Sequence, residues 1–121
     1  MWKIVDSTNL VVLRGCLSSS PVTRTLESGS VLISLEVTTR DGDEVARSVP
    51  VSVFDPAKPD ELTELVRGDE VVVAGTVTRR FFRTSSGTGS RTEVVADKVV
   101  PAGRTARVRT LLRSVGAMLG E

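Results

Sequence analysis

Arg79, Arg80 and Arg83 bracket the pair Phe81-Phe82, and Arg91 follows after the polar stretch Ser85 to Ser90. With that stretch read as a turn, four guanidinium groups cluster on the two arms of one hairpin and flank Phe82. A guanidinium is a planar fork of donors matched to phosphate oxygens, and an aromatic ring offers a face on which a base can stack. Together these residues describe chemistry for a ligand carrying both phosphates and bases. Taken singly, each arginine reads as a solvated surface charge. Arg24, in the first long loop, joins the candidates, and Arg14 and Arg47, on strand positions pointing away from the apolar set, rank below them.

Little else in the chain points to chemistry. The acid pairs Asp41/Asp43 and Glu61/Glu64 fall in a turn and on a helix surface, with no His or Tyr to complete an acid–base set. Ser18 to Ser20 and Ser85-Ser86 lack a recognisable base, and Gly87-x-Gly89 at a hairpin tip leads into no helix, so it is not a phosphate loop. Cys16 is the single cysteine, so no internal disulfide and no Cys/His metal set can form, and it reads as a small strand residue. The expectation is a non-enzyme with no catalytic residues, no metal and no cofactor. Net charge is +1, yet residues 1–103 hold twelve basic against fourteen acidic residues. Anion affinity must therefore come from local clustering.

The elements that would position these groups follow from apolar periodicity. Val11, Leu13, Gly15 and Leu17 share one face of a first strand, and Val31, Ile33, Leu35 and Val37 one face of a second, joined by a polar loop with Pro21 and Gly29. The turn Arg40-Asp41-Gly42-Asp43 leads into a third strand, Glu44 to Phe54, pairing antiparallel with the second. Pro50 removes a ladder donor there and implies an edge or bulge. Pro59 opens a short helix with Leu62, Leu65 and Val66 on one face. A fourth strand starts at Glu70, with Gly75 marking a close approach or bulge, and a fifth spans Arg91 to Val100. From Arg104 to Leu119, Val108, Leu111, Leu112, Val115, Met118 and Leu119 follow helical spacing. Packing of that stripe on its own protein is favoured over an external partner. Trp2 precedes the first strand and is not assigned to ligand binding.

This order of landmarks resembles the bacterial single-stranded DNA-binding protein (SSB) family. The resemblance rests on Asn9-x-Val-x-Leu-x-Gly-x-Leu17, Pro21, Arg24 and Ser28-Gly29, then Phe54, Arg67-Gly68-Asp69, Val71 to Val73, Gly75, Arg79-Arg80-Phe81-Phe82 and Thr92-Glu93-Val94-Val95. It spans roughly residues 9–100. The implied fold is all-β: a five-stranded OB-fold Greek-key barrel with a short helix between strands three and four, followed by a C-terminal amphipathic helix. Residues 1–103 are then the OB-fold domain and 104–121 a helical extension.

The family likeness implies binding of single-stranded DNA without strong sequence preference, in replication, recombination or repair, by a homo-oligomer, dimer or tetramer. The rival is an OB-fold that has lost DNA binding and acts as a protein-interaction module, with a protein partner at the C-terminal helix. By position, Phe54 and Phe82 match family base-stacking sites, with Arg79, Arg80, Arg83, Arg91 and Arg24 for phosphates. Phe82 is expected to be the solvent-facing member of its pair and Phe81 the inward one. The family's Trp near the start of the third strand is replaced by Ser48, and the loop carrying another is shortened to Asp41 to Glu44. Each lost platform weakens binding by roughly 1–3 kcal/mol. The amphipathic 104–121 segment stands where the family carries a Gly/Pro/Gln-rich tail with an acidic tip, which points to a specialised paralogue. With no apolar run of membrane-spanning length and no leader-like N-terminus, a cytoplasmic, nucleoid-associated protein with no membrane contact is expected.

Overall fold

A computed structural model describes residues 7–42 and 45–120. Six strands and two helices follow in chain order: β1 (Val11–Leu17), β2 (Val22–Thr25), β3 (Val31–Arg40), β4 (Ala46–Phe54), α1 (Pro59–Thr63), β5 (Glu70–Thr84), β6 (Gly87–Pro101) and α2 (Thr105–Met118). The sheet runs β1-β5-β6-β4-β3-β2, and β1 also pairs with β3, so five strands form a ring of hydrogen bonds with β2 on its outside edge. All pairings are antiparallel except β4 with β6. This is the OB-fold arrangement, with α1 between β4 and β5. The expectations for Trp2 and for Asp43-Glu44 fall outside the described residues.

Strand alternation builds the ring. Leu17, Ile33, Val37, Val51, Val71 and Val73, each at most 2% exposed, point inward with Leu35, Val53 and Val94, and Leu62 and Leu65 join them from the α1 segment. Burying each such side chain contributes about 1.5–3 kcal/mol. Closure depends on Gly15, where a Cβ would stand 2.3 Å from the Thr38 carbonyl oxygen. That close approach lets β1 leave β5 and pair with β3 at Cys16↔Thr38 and Leu17↔Val37. Gly75 meets β6 as tightly, 2.1 Å from the Val95 oxygen, beside a bulge in which Asp97 is the unpaired extra residue between Ala96 and Lys98. Pro50 pairs with Glu36 but has no partner on the β6 side, where pairing begins at Val51.

Four features differ from the sequence reading. The first long loop contains a strand, β2, whose four residues are all exposed and held through backbone pairing with β3, so no alternation marks it. Arg24 is therefore a strand residue, opposite Leu32. The β5/β6 hairpin is longer than expected, paired out to Thr84↔Gly87 around Ser85-Ser86. Asn9 stands where β1 stops: its carboxamide accepts from the Val77 N–H and donates to the Val77 carbonyl, both at 2.9 Å, and beyond that point the hairpin leaves the ring. Phe81 and Phe82 consequently both face solvent, 66% and 44% exposed, and neither is core. Finally, α1 ends at Thr63, and Val66 turns outward as its N–H donates to Asp69 Oδ2 (2.9 Å) ahead of Gly68 at φ +96°.

The apolar stripe of α2 packs on the outer side of the sheet. Val108, Leu111 and Val115 cover Val72, Ala74 and Val100, whereas Leu112, Met118 and Leu119 stay exposed. Arg107 fastens α2 to α1 through two bonds to Glu61, of 3.2 and 3.1 Å. Among the described residues no helix is long and apolar enough to cross a membrane.

Candidate nucleic-acid interface

Residues facing each other in the ladder share a face, so the register sorts the candidates. On the outer face, Arg24 of β2, Leu32 of β3 and Phe54 of β4 form one row, and Val22, Ser34 and Ser52 the next. The same surface continues onto β6 at Glu93 and Arg91 and onto β5 at Arg80, directly opposite Arg91. Phe82 follows on that face, lying across Gly89, where a Cβ would come within 2.6 Å of its ring. The structure thus brings Phe54, Arg80, Phe82, Arg91 and Arg24 onto one continuous face. Arg79 and Arg83 point to the other side of the hairpin with Phe81, over which the Arg79 guanidinium sits 5.7 Å from the ring centroid.

Phe54 is held by its chain neighbours. Asp55 adopts φ +45°, a left-handed conformation that Asp tolerates better than most residues. Its N–H donates to the Val31 carbonyl and its Oδ1 accepts from the Val31 N–H, both at 2.8 Å, pinning the end of β4 to the start of β3. Phe54 is 37% exposed, and the Arg80 guanidinium carbon lies over its ring, 5.5 Å from the centroid. Further along β3 and β4 the outer face carries Glu36 opposite Pro50, a Thr38–Ser48 hydroxyl pair at 2.8 Å, and Arg40 opposite Ala46. No aromatic platform stands there.

One residue of the site escaped the sequence reading. The Glu93 side chain is 3% exposed and accepts from Arg80 Nη2 at 2.7 Å and from Ser52 Oγ at 3.1 Å. Burying a carboxylate is costly unless it is paired and hydrogen-bonded, and both conditions hold. Its signal in the sequence was a lone acid at an outward strand position two residues from Arg91. Arg14 and Arg47 are engaged elsewhere, in exposed pairs with Glu70 and Asp41, each 3.3 Å long. Among the described residues Arg24 and Arg91 have no such partner.

The cleft between these groups holds about 180 Å³. Enclosed small-molecule sites run from roughly 300 to 1,000 Å³. An open track for an extended ligand fits this surface better than a pocket.

No curated protein matches the chain. The family model described as the single-strand binding protein family matches residues 8–102, which takes in the whole ring of strands and every candidate residue. The chain belongs to the single-strand binding protein family.

Proposed function

We propose that the protein binds single-stranded DNA with little sequence preference, with bases stacked on Phe54 and Phe82 and phosphates held by Arg91 and Arg24. Family membership supports single-stranded DNA binding in general. The observation that carries the residue assignment is the shared outer face, on which two exposed rings alternate with guanidinium groups along one open track. Such a track follows a backbone and accepts any base, because every base has a stacking face. Arg80 belongs to the same track, while Arg79 and Arg83, on the reverse of the hairpin, add to the local positive field. Replication, recombination or repair on the nucleoid is the setting in which such a surface would act, and a homo-oligomer is the form proposed for it.

The test is a fluorescence-anisotropy titration of labelled oligo-dT several tens of nucleotides long, at low and moderate salt, beside duplex DNA of equal length. Salt-sensitive binding to the single strand alone is the expected result. A second reading, an interaction module without DNA binding, is favoured by Leu112 and Met118 of α2 and Leu119 at its C-terminal end, which remain uncovered. Absence of binding even at low salt would select it. Equal binding of oligo-U would extend the ligand to RNA, since stacking and phosphate contacts do not read the 2′-hydroxyl.

A further inference from the structure

We infer that Arg80 serves as a stacking surface for a base and not as a phosphate ligand, and that the buried Glu93 is the positioning residue that gives it this role. The inference rests on the DNA-binding reading above and assigns the chemistry of one of its residues. A chain with so few aromatic rings needs other flat surfaces, and a guanidinium plane stacks on bases as well as on rings.

Three observations lead there. First, Arg80 donates to Glu93 at 2.7 Å, and Glu93 is 3% exposed, so the guanidinium is paired with a carboxylate that is itself shielded from water. A phosphate approaching Arg80 would meet a neutral pair, and its counterions would be released by other groups. Second, the Arg80 side chain is still 41% exposed, and its guanidinium adjoins the Phe54 ring at 5.5 Å on the outer face. The guanidinium lies over the ring and extends its stack at the end of β4, next to a stretch of β3 and β4 whose outer face has no aromatic side chain. Third, the carboxylate is itself tied to Ser52 at 3.1 Å, so a side chain with many rotamers is fixed before any ligand arrives. Ordering it in advance removes a cost that binding would otherwise carry. Arg91, directly opposite on the same face, has no acidic partner among the described residues and remains a free cation.

The salt dependence of binding separates the two roles, because each phosphate neutralised on a single strand adds about 0.7 to the slope of log K against log salt. Slopes would be measured with oligo-dT for the unaltered protein, Arg91→Ala, Glu93→Gln, Arg80→Lys and the double variant Arg80→Ala/Glu93→Gln, which leaves no buried carboxylate unpaired. The double variant is expected to bind roughly 5- to 140-fold more weakly at every salt concentration, with an unchanged slope. Arg91→Ala should flatten the slope by about 0.7, whereas Glu93→Gln, by freeing the guanidinium, should steepen it by about 0.7. Arg80→Lys keeps the charge and the ion pair but loses the plane, and should lose affinity as the double variant does. Should the double variant misfold, as circular dichroism would reveal, Arg80→Lys decides alone. A flattened slope in the double variant, full affinity in Arg80→Lys, or no change in either would overturn the inference while leaving DNA binding intact. Failure of the unaltered protein to bind would overturn both.

Discussion

The two faces of the β5/β6 hairpin carry the same residue types and differ in what lies behind them. On one, Arg80, Arg91 and Phe82 run without interruption into the outer surface of the ring, where Phe54, Ser52 and Glu93 wait. On the other, Arg79, Phe81 and Arg83 project beyond the ring, with Phe81 the most exposed ring of the hairpin. Exposure by itself therefore does not define a site. The proposed binding surface is the side on which a second element, β4, extends a ring and a cation.

That contrast can be broken most directly by removing the rings. Phe54→Ala/Phe82→Ala should weaken oligo-dT binding by at least about 25-fold and by up to about 20,000-fold, from roughly 1–3 kcal/mol per stacked base. Arg79→Ala/Phe81→Ala, the matching lesion on the reverse face, should cost less than about threefold at moderate salt, where charges beyond a Debye length of roughly 8–10 Å are screened. Equal losses in the two doubles, read by the same anisotropy titration, would erase the distinction between the faces.

A finer version moves one ring without deleting it. In Gly89→Ala the new Cβ would meet the Phe82 ring at 2.6 Å and tilt it, while Ser90→Ala, opposite Phe81, disturbs nothing on the binding face. Binding should fall by about three- to tenfold in the first, a fraction of one stacking interaction, with thermal stability nearly unchanged, and stay constant in the second.

The smallest effect serves as the control. Hydrogen bonding from Arg107 holds the Glu61 carboxyl below its ordinary value of 4.5, outweighing the opposing effect of desolvation. A depressed carboxylate contributes stability above its unfolded-state value, and that contribution is lost as pH falls through the lower folded value. Thermal melts from pH 7 downward should therefore show Arg107→Ala losing part of the decline below about pH 4.5, with oligo-dT binding at pH 7 unaltered. A change in binding would mean that α2 and the track are coupled.

How far the sequence reached depended on where packing writes a periodic signal. β1 and most of β3 bury alternate residues, while β4 and the first half of β5 bury the continuous runs 51–53 and 71–75, so Val, Ile and Leu mark them. β2 has one apolar residue and four exposed positions, and the start of β6, residues 87–90, is Gly, Thr and Ser; both are held by backbone pairing, which leaves no such trace. Phe54 and Phe82 were legible through the family likeness. The division of the arginines required the register, since Arg79 and Arg80 are neighbours in the chain and opposed in space. Glu93 was hidden because an acid in a surface strand reads as solvated until Ser52 and Arg80 are placed against it. The helix stripe was half right: Val108, Leu111 and Val115 find cover, and the residues one turn around do not.

The bulge at Asp97 makes β6 a strand of two phases. Before it, odd-numbered Glu93 faces the cleft and even-numbered Val94 and Ala96 face the core; after it, Val99 turns to the core and Val100 to α2. One supernumerary residue lets a single strand present a carboxylate outward at one end and an aliphatic anchor outward at the other. Deleting Asp97 would act as a frameshift in three dimensions, inverting one half of β6 with no change to any other residue. Length within this strand is therefore constrained more tightly than the identity of most residues in it, whereas the neighbouring turns can absorb insertions.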